Sequence, residues 1–302
     1  MIIKFDNEFE KTGHKKGILM TFHDIFHIAL HALIETLKTV PFLLIAYLFM
    51  EYLEHKASEK MENSLKKIRK AGPAIGSALG VVPQCGFSAS ASNLYAAGLI
   101  TEGTLIAVFL ATSDEAIPLL LGHAESRTDI WLLILCKIGV GILAGFIIDF
   151  IYRKMKIQKV DIDICESCGC EEEDGIWKPT LKHTLKISIF ILIVNVVLGF
   201  AMALLGAERL NDLLLSGHLA QPLVTALIGL IPNCAISVAL TELYIAGTLS
   251  FGSCVAGLCS GAGVGLTVLF KTNKCKKENL RIVVILYGIS ALFGFSLMLF
   301  GL

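Results

Sequence analysis

The sequence predicts an all-α polytopic membrane protein made of two inverted-topology repeats, and three observations predict it. First, the 302 residues are 55% hydrophobic and only 17% charged, whereas ordinary soluble domains carry about 25% charged residues. Second, the apolar residues form long runs of the kind that cross bilayers as helices. Third, the stretch at 71–98 occurs again at 220–247. The apolar runs lie at 40–50, 104–121, 130–151, 187–205 and 280–302.

The two copies of the duplicated stretch align without a gap at a constant separation of 149 positions. Pro83 aligns with Pro232, and Cys85 aligns with Cys234. Each copy consists of two short apolar segments joined by a polar break, PQCGFS or PNCAIS. Because a spanning helix needs about 20 residues, neither segment is long enough to cross a bilayer alone. A repeated pair of short, interrupted apolar segments points to the binding site of a transporter.

Each repeat is predicted to contain three full spans and one broken, re-entrant helical hairpin, which gives about ten membrane helices when each limb counts as one. The first repeat, 1–152, comprises a helix at 21–55 in which Pro41 permits a fold-back, a broken segment at 72–98, and helices at 103–122 and 130–151. A hydrophilic linker occupies 153–186. The second repeat, 187–302, comprises a helix at 187–206, a broken segment at 221–248, and helices at 252–270 and 280–301.

The charges of the loops favour hairpins over full crossings. If each broken segment leaves the membrane by the side it entered, the loops at 56–70, 153–186 and 271–281 share one side, and they hold nearly all the loop Lys and Arg. The positive-inside rule makes that side cytoplasmic. If each broken segment crossed fully, 56–70 and 153–186 would fall on opposite sides. An odd number of spans per repeat then inverts the second repeat relative to the first.

The two polar breaks form the first candidate ion-binding site. Backbone leaves a helix at bilayer depth only where protein or a water-filled cavity satisfies it, so we expect the breaks to face each other across a central site. A thiolate suits Cu(I), Zn or a thiophilic metalloid, although a lone membrane cysteine is more often a small packing residue. The candidate ligands in and beside the breaks are Gln84, Cys85, Ser88, Asn93, Asn233, Cys234, Ser237 and Glu242.

Two carboxylates extend this site. Asp114 and Glu115 lie in the middle of the predicted helix at 103–122, where an ionisable residue is costly and functional by default. The second repeat has Gly263 at the position of Asp114, so the repeated fold does not require the carboxylate. We expect the pair to bind a cation or to carry protons, with a structural pairing to Lys137 as the alternative.

The linker carries a second candidate metal site, in the sequence CESCGCEEED. Cys165, Cys168 and Cys170 lie within six residues, so their thiols can close on one soft ion at little cost in loop entropy. With the topology above, this site is cytosolic and suited to collecting cargo before export. The alternative is an unstructured acidic linker with incidental cysteines.

The first helix carries two weaker candidate metal sites. His23, His27 and His31 fall four residues apart on one helical face, which suits a divalent metal but also an interfacial polar stripe. Glu51 and Glu54, next to His55, have the spacing of carboxylate metal sites. The ends of helices at the membrane surface are commonly charged, and this simpler interpretation of the second group is favoured.

Several stretches resemble one protein family: PFLLIAYLFMEYLEH, GVVPQCGFSASASNLYAAGLIT, FLATSDEAIPLLL and GLIPNCAISVALTELYIAG. They are similar to the ten-helix heavy-metal exporters of bacteria, a family related to the arsenic permeases and also labelled manganese transporters. The resemblance covers nearly the whole chain. It implies a polytopic inner-membrane protein that exports a toxic metal or metalloid.

The function expected is therefore secondary transport without ATP hydrolysis, because no Walker-type phosphate loop is present. The cargo is expected to be a metal or metalloid such as arsenite, or alternatively Mn²⁺, with a proton as the coupling ion. No cofactor, enzymatic activity or nucleic-acid partner is expected; the partners are the ion and the lipid bilayer, and a homo-oligomer is compatible with both. A membrane metal sensor or scaffold is the alternative of another class.

Overall fold

The computed structural model describes residues 22–55, 71–82, 85–112, 116–122, 127–154, 177–205 and 220–301. In these ranges the chain folds into α-helices joined by short turns. The first half contains α1 (Phe22–His55), α2 (71–80), α3 (Cys85–Ala96), α4 (Glu102–Ala111), α5 (Ala116–Gly122) and α6 (Arg127–Lys154). The second half contains α7 (Trp177–Leu205), α8 (Gln221–Gly229), α9 (Cys234–Ile245), α10 (Phe251–Ser260), α11 (Val264–Thr272) and α12 (Lys276–Leu299).

The sequence duplication is reproduced at the level of helix boundaries. The bounds of α3 and α9 differ by 149 residues at both ends, and so do those of α4 and α10. Each of α3 and α9 is followed by a glycine with positive φ, 72° at Gly98 and 74° at Gly247. These angles lie in the left-handed region that glycine adopts without steric cost, so this residue type ends the helix in both copies.

The prediction of one continuous helix at 103–122 is wrong. The chain leaves the helix after Ala111, and a new helix begins at Ala116. Pro118 lies in the first turn of α5, where its missing N–H cannot bond to the carbonyl four residues earlier. The first half therefore contains two interrupted segments, α2–α3 and α4–α5, rather than one.

The prediction of one continuous helix at 252–270 is wrong for an analogous reason. The helix ends at Ser260 and restarts at Val264, and between them lies the glycine-rich stretch 261–263. Gly263 has a φ of 52°, a conformation that side chains with a Cβ rarely adopt. Helix propensity is also lowest for glycine apart from proline.

The first helix runs continuously from Phe22 to His55 through Pro41, as the helix predicted at 21–55 requires, and the alternative of a fold-back at Pro41 does not occur. One further boundary differs from expectation. Helix α7 begins at Trp177, inside the stretch predicted as hydrophilic linker, and thus extends the predicted helix at 187–206 towards its N-terminus.

The centre of the molecule is formed by α4 and α10, the equivalent helices of the two halves. Every residue of both helices is buried. Helix α4 packs against α6, α10 packs against α12, and α4 and α10 contact each other. Helices α1 and α7 pack together on the flank. This arrangement places the ends of α4 and α10, where both interrupted helices break, in the interior.

The outer helices present apolar side chains to their surroundings. On α6, the side chains of Trp131, Leu135 and Phe150 are each at least 66% exposed, and such a surface suits lipid rather than water. By length and hydropathy, four segments of the described chain could cross a membrane: Asp129–Lys154, Thr180–Val197, Phe251–Thr272 and Lys276–Leu299. The third of these is the interrupted pair α10–α11, and 89% of its most apolar window is buried inside the protein.

Candidate functional site

The first half's polar break lies close to the second half's glycine-rich break. Helix α3 begins at Cys85, and its Ser88 is fully buried against Gly265, which follows the break at 261–263. A Cβ at Gly265 would lie 2.8 Å from the Cβ of Ser88 and 2.9 Å from the ring of Phe109. Only glycine therefore permits this close approach, which joins α3, the end of α4 and the start of α11.

A hydrogen bond fixes the same contact. The Ser92 hydroxyl is 2.7 Å from the carbonyl oxygen of Gly265 and 2.9 Å from that of Ser88. A hydroxyl carries one proton, so the Ser92 Oγ–H donates to one of these two acceptors or is shared between them. Helices α3 and α11 come from different halves, so this polar contact ties the two repeats together at their breaks.

Asn93, the residue after Ser92 on α3, lies in a buried polar cluster between α1, α3 and α7. Tyr47 Oη donates a hydrogen bond to Asn93 Oδ1 at 3.0 Å, and the ring of His183 stacks on Tyr47 with 5.6 Å between centroids. Asn93 is only 2% exposed, and its Nδ2 has no hydrogen-bond partner. A buried polar atom without a partner costs about 1–3 kcal/mol, so this amide is a natural place for a polar ligand or a water.

The second break is built by the cap of α9. Asn233 lies half-buried at the N-cap, and its Oδ1 accepts a hydrogen bond from Ala235 N–H at 2.9 Å. Ser237 is buried one turn into the helix, and Glu242, the counterpart of Asn93, is half-buried further along. Helix α9 packs against α5, as α3 packs against the equivalent helix α11.

A lysine is buried at the end of α10. Lys137, near the middle of α6, has no exposed surface, and its Nζ donates a hydrogen bond to the carbonyl oxygen of Leu258 at 2.6 Å. Its counterpart in the second repeat is Leu286, which is also fully buried. Burying a charged side chain within an apolar span costs free energy, and such residues commonly mark functional sites.

Polar contacts join the two halves at two equivalent places. The buried Glu102 pairs with the Arg281 guanidinium and accepts a hydrogen bond from Tyr152 Oη at 2.9 Å. At the equivalent place, Tyr244 Oη donates to Asp129 Oδ2 at 2.8 Å.

The two places share one kind of residue. Tyr95 is the counterpart of Tyr244. Tyr244 of the second half bonds directly to Asp129 of the first half, whereas Tyr95 donates to Glu102 of its own half at 3.4 Å. Glu102 in turn binds Arg281 of the second half, so a tyrosine takes part in the polar contact between the halves at both places.

Several predicted ligands lie in part or wholly outside the described residues. Gln84, Asp114 and Glu115 do so completely, as do the three linker cysteines Cys165, Cys168 and Cys170. The backbone is described but the side chain is not for Cys85, Cys234, His23, His27, Glu51 and Glu54. Cys85 and Cys234 are the first residues of α3 and α9. On α1, the His31 side chain is exposed.

The described part of the chain contains no preformed set of metal ligands. None of its His, Cys, Asp and Glu side chains forms a group of three or more that could hold an ion. The four free cysteines described there are Cys136, Cys254, Cys259 and Cys275, and they do not make such a group. The predicted ion site therefore stays a prediction that depends on the two breaks.

The chain matches one family of membrane proteins. A family model described as "Putative, 10TM heavy-metal exporter" matches residues 23–208, which is more than half of the 302 residues. The chain belongs to this family. No curated protein and no solved structure matches the chain.

Membership in the heavy-metal exporter family confirms the resemblance seen in the sequence. The protein is a multi-pass membrane protein of a family described as heavy-metal exporters. The family description counts ten transmembrane helices. The described helices give the same count when each interrupted pair, α4–α5 and α10–α11, is taken as one membrane element.

Part of this site is not among the predicted residues. The sequence predicts Lys137 only as an alternative partner for Asp114 and Glu115, although a lysine inside the apolar run 130–151 is itself a functional signal. The pair of Glu102 and Arg281 gave no signal, because the two residues are 179 positions apart and each lies near the end of an apolar run.

Proposed function

We propose that this protein is a secondary transporter that exports a toxic metal or metalloid ion, with arsenite as the preferred cargo class, through a site between two inverted repeats. One observation carries the proposal. In each half, two consecutive apolar segments are interrupted at equivalent positions, and one contact brings a break of the first half against a break of the second. Interrupted helices that meet at a repeat interface are how secondary transporters build ion sites.

The reciprocal packing supports the two-repeat part of the proposal. Helix α3 packs against α11, and the equivalent helix α9 packs against α5. In the proposed site, the break before Cys85 would pair with the break at 261–263. By the repeat, the break before Cys234 would pair with the connection between α4 and α5, whose sequence contains Asp114 and Glu115. The proposal therefore predicts an asymmetric cargo site, with carboxylates near Cys234 and glycines near Cys85.

The donor atoms favour a thiophilic cargo. Cys85 and Cys234 supply two thiolates at equivalent helix starts, Gln84 and Asn233 supply amides, and Ser88 and Ser237 supply hydroxyls at the first turn. Thiolates bind soft ions such as As(III) or Cu(I) far better than hard ions. The unpartnered amide of Asn93 lies eight residues beyond Cys85 on α3, about 12 Å along the helix axis, so it would serve as a separate polar contact on the cargo's path rather than as a ligand of an ion held at the break.

A hard-ion exporter is the second candidate within the same class. Asp114, Glu115 and Glu242 offer oxygen ligands of the type that Mn²⁺ prefers. In that case the carboxylates bind the cargo, whereas for a soft cargo they carry the coupling proton or balance its charge.

The location follows from the same topology. The basic loops and the linker 153–186 would lie on the cytoplasmic side of a bacterial inner membrane, so that Cys165, Cys168 and Cys170 collect the ion before it reaches the breaks. His23, His27, His31, Glu51 and Glu54 on α1 would add an accessory metal site near the membrane surface.

Transport by purified protein in liposomes tests the proposal. We expect As(III) to move in wild-type vesicles, and Cys85→Ser or Cys234→Ser to lower the rate at sub-saturating As(III) by about 100-fold, because losing a direct ligand costs at least as much as the 10–100-fold typical of supporting residues. Cys275→Ser, a half-buried cysteine away from the breaks, is the matched control and should transport normally.

The other outcomes separate the alternatives. If both cysteine variants transport normally while Asp114→Asn and Glu115→Gln do not, and Mn²⁺ moves in wild-type vesicles, the protein is a hard-ion exporter. If correctly folded wild-type protein moves no ion of a panel of As(III), Mn²⁺, Zn²⁺, Cd²⁺ and Cu(I) under an ion or proton gradient, transport is rejected and a membrane sensor or scaffold is favoured.

A further inference from the structure

Lys137 has a backbone carbonyl as a partner because α10 is broken. In a continuous helix the carbonyl of Leu258 would accept the N–H of Ala262. Instead the Ala262 N–H bonds to Ser260 O at 3.0 Å, and the freed Leu258 carbonyl accepts Lys137 Nζ at 2.6 Å. The ammonium thus satisfies a carbonyl that the interruption would otherwise leave without a donor.

The same lysine lies level with the end of α4. Close contacts between the antiparallel helices pair Gly103 with Gly145 and Ala107 with Gly141. Four residues further along each helix, this register pairs Ala111, the last residue of α4, with Lys137. Lys137 therefore lies where both central helices end: beside the end of α4 and bonded to the last turn of α10.

Two helix C-termini that meet in a buried place create a site for a cation. Each helix end carries the equivalent of about half a negative charge, together with carbonyl oxygens that have lost their helical partners. Transporters with interrupted helices use these helix ends and unwound carbonyls to coordinate Na⁺ or to accept protons. In this protein the position is filled by the Lys137 ammonium, which is bonded to the Leu258 carbonyl in the last turn of α10.

We propose that Lys137 is a tethered cation that occupies a monovalent-cation site between the ends of α4 and α10. Because the ammonium is covalently attached, the central helix ends are neutralised without an ion from solution. The second repeat has Leu286 at this position, so the device is present once, in the half that also holds Asp114 and Glu115. Its role in the transport cycle rests on the proposed function, whereas the site itself does not.

Removing the ammonium should expose the site to small cations. The experiment compares the Tm of purified wild-type, Lys137→Ala and Leu286→Ala proteins in NaCl, KCl, NH₄Cl and choline chloride at equal ionic strength. Leu286→Ala truncates a fully buried side chain at the equivalent position without removing a charge, which makes it the matched control. We expect at least one small cation to raise the Tm of Lys137→Ala by about 3 °C over choline, with no such shift in the other two proteins.

The proposal is overturned if Lys137→Ala responds to the small cations no differently from Leu286→Ala. If Lys137→Ala cannot be purified in folded form, Lys137→Ser gives the same measurement with a hydroxyl that stabilises water in the vacated space. Because the readout is thermal stability, a failure here leaves the transport proposal standing, and a failure of transport in wild-type vesicles leaves this result interpretable.

Discussion

Glu102 is a buried carboxylate that accepts hydrogen bonds from Tyr95, Tyr152 and Arg281. It begins α4, where a negative charge is favoured by the helix dipole, and its two oxygens bind the Arg281 guanidinium. Tyr152 donates to the same carboxylate, and its ring lies 5.0 Å below the guanidinium carbon. A single side chain thus fixes the start of the central helix α4 and joins it to α12 of the other half.

Loss of this carboxylate should destabilise the protein through the groups left behind. In Glu102→Ala the Tyr152 hydroxyl and the Arg281 guanidinium lose their acceptor, and we expect a loss of about 2 kcal/mol in unfolding free energy. Arg281 is 37% exposed, so water takes over part of its hydrogen bonding and limits the loss. Reversible unfolding of the wild-type and Glu102→Ala proteins in mixed micelles measures this difference in unfolding free energy.

A double-mutant cycle of Glu102→Ala and Arg281→Ala isolates the pair. We expect a coupling energy of about 1–2 kcal/mol. A coupling near zero would mean that the pair is not formed in the membrane.

At the scale of the element, glycines allow the central helices α4 and α10 to pack closely against their neighbours. A Cβ at Gly103 would collide with the Gly145 carbonyl and with the Asp149 carboxylate, which accepts the Gly103 N–H at 3.0 Å. In the second half, a Cβ at Gly252 would lie 2.5 Å from the Gly294 carbonyl. The collisions with the Gly145 and Gly294 carbonyls are with backbone, which cannot move aside as a flexible side chain can.

Gly103→Ala and Gly252→Ala should therefore separate α4 from α6 and α10 from α12. We expect each variant to lose about 2–3 kcal/mol, as overpacking typically costs. The matched controls are Gly139→Ala and Gly288→Ala, which occupy equivalent positions in the two repeats and whose added Cβ would have no atom within 4 Å. They should be neutral or slightly stabilised by the better helix propensity of alanine. A similar loss in variants and controls would contradict the close packing.

The element scale also shows how far the sequence determines the architecture. The constant separation of 149 positions and the polar breaks predicted α2–α3 and α8–α9 as interrupted segments, because proline and glycine leave a local signature. The interruption after Ala111 was not predicted, because it lies inside the apolar run 104–121. Length and hydropathy, the two properties used for that run, do not indicate where a helix breaks. Pro118 and the stretch 261–263 could have revealed the second pair of breaks, since a missing N–H and a positive φ are local properties.

The contacts between repeats could not be predicted in the same way. Whether Ser88 touches Gly265, or Lys137 reaches Leu258, depends on how two helices from distant parts of the chain approach each other. A single sequence does not indicate which residue Ser88 or Lys137 contacts. The candidate ligands at the breaks followed from the repeat, whereas the buried lysine at the end of α10 required coordinates.

At the scale of the whole molecule, equivalent helices of the two halves make equivalent packing contacts. Helices α3 and α9 each pack on the interrupted helix of the other half, as a two-fold relation between the halves predicts. A two-fold axis along the membrane normal would leave the repeats parallel, and an axis in the membrane plane would invert them. The distribution of loop charge favours the second arrangement.

Inverted repeats place equivalent loops on opposite sides of the membrane, which gives a direct test. Lys274, between α11 and α12, is the counterpart of Glu125, between α5 and α6. A specific protease site inserted after Lys274 should be cut only in inside-out vesicles, and one inserted after Glu125 only from the outer face. An insertion after Asp163, in the predicted cytoplasmic linker, is the control and should follow the Lys274 insertion. Cleavage of both loops from the same side would make the repeats parallel, which would place the polar contacts of Tyr95 and Tyr244 on one face and remove the basis for alternating access through the paired breaks.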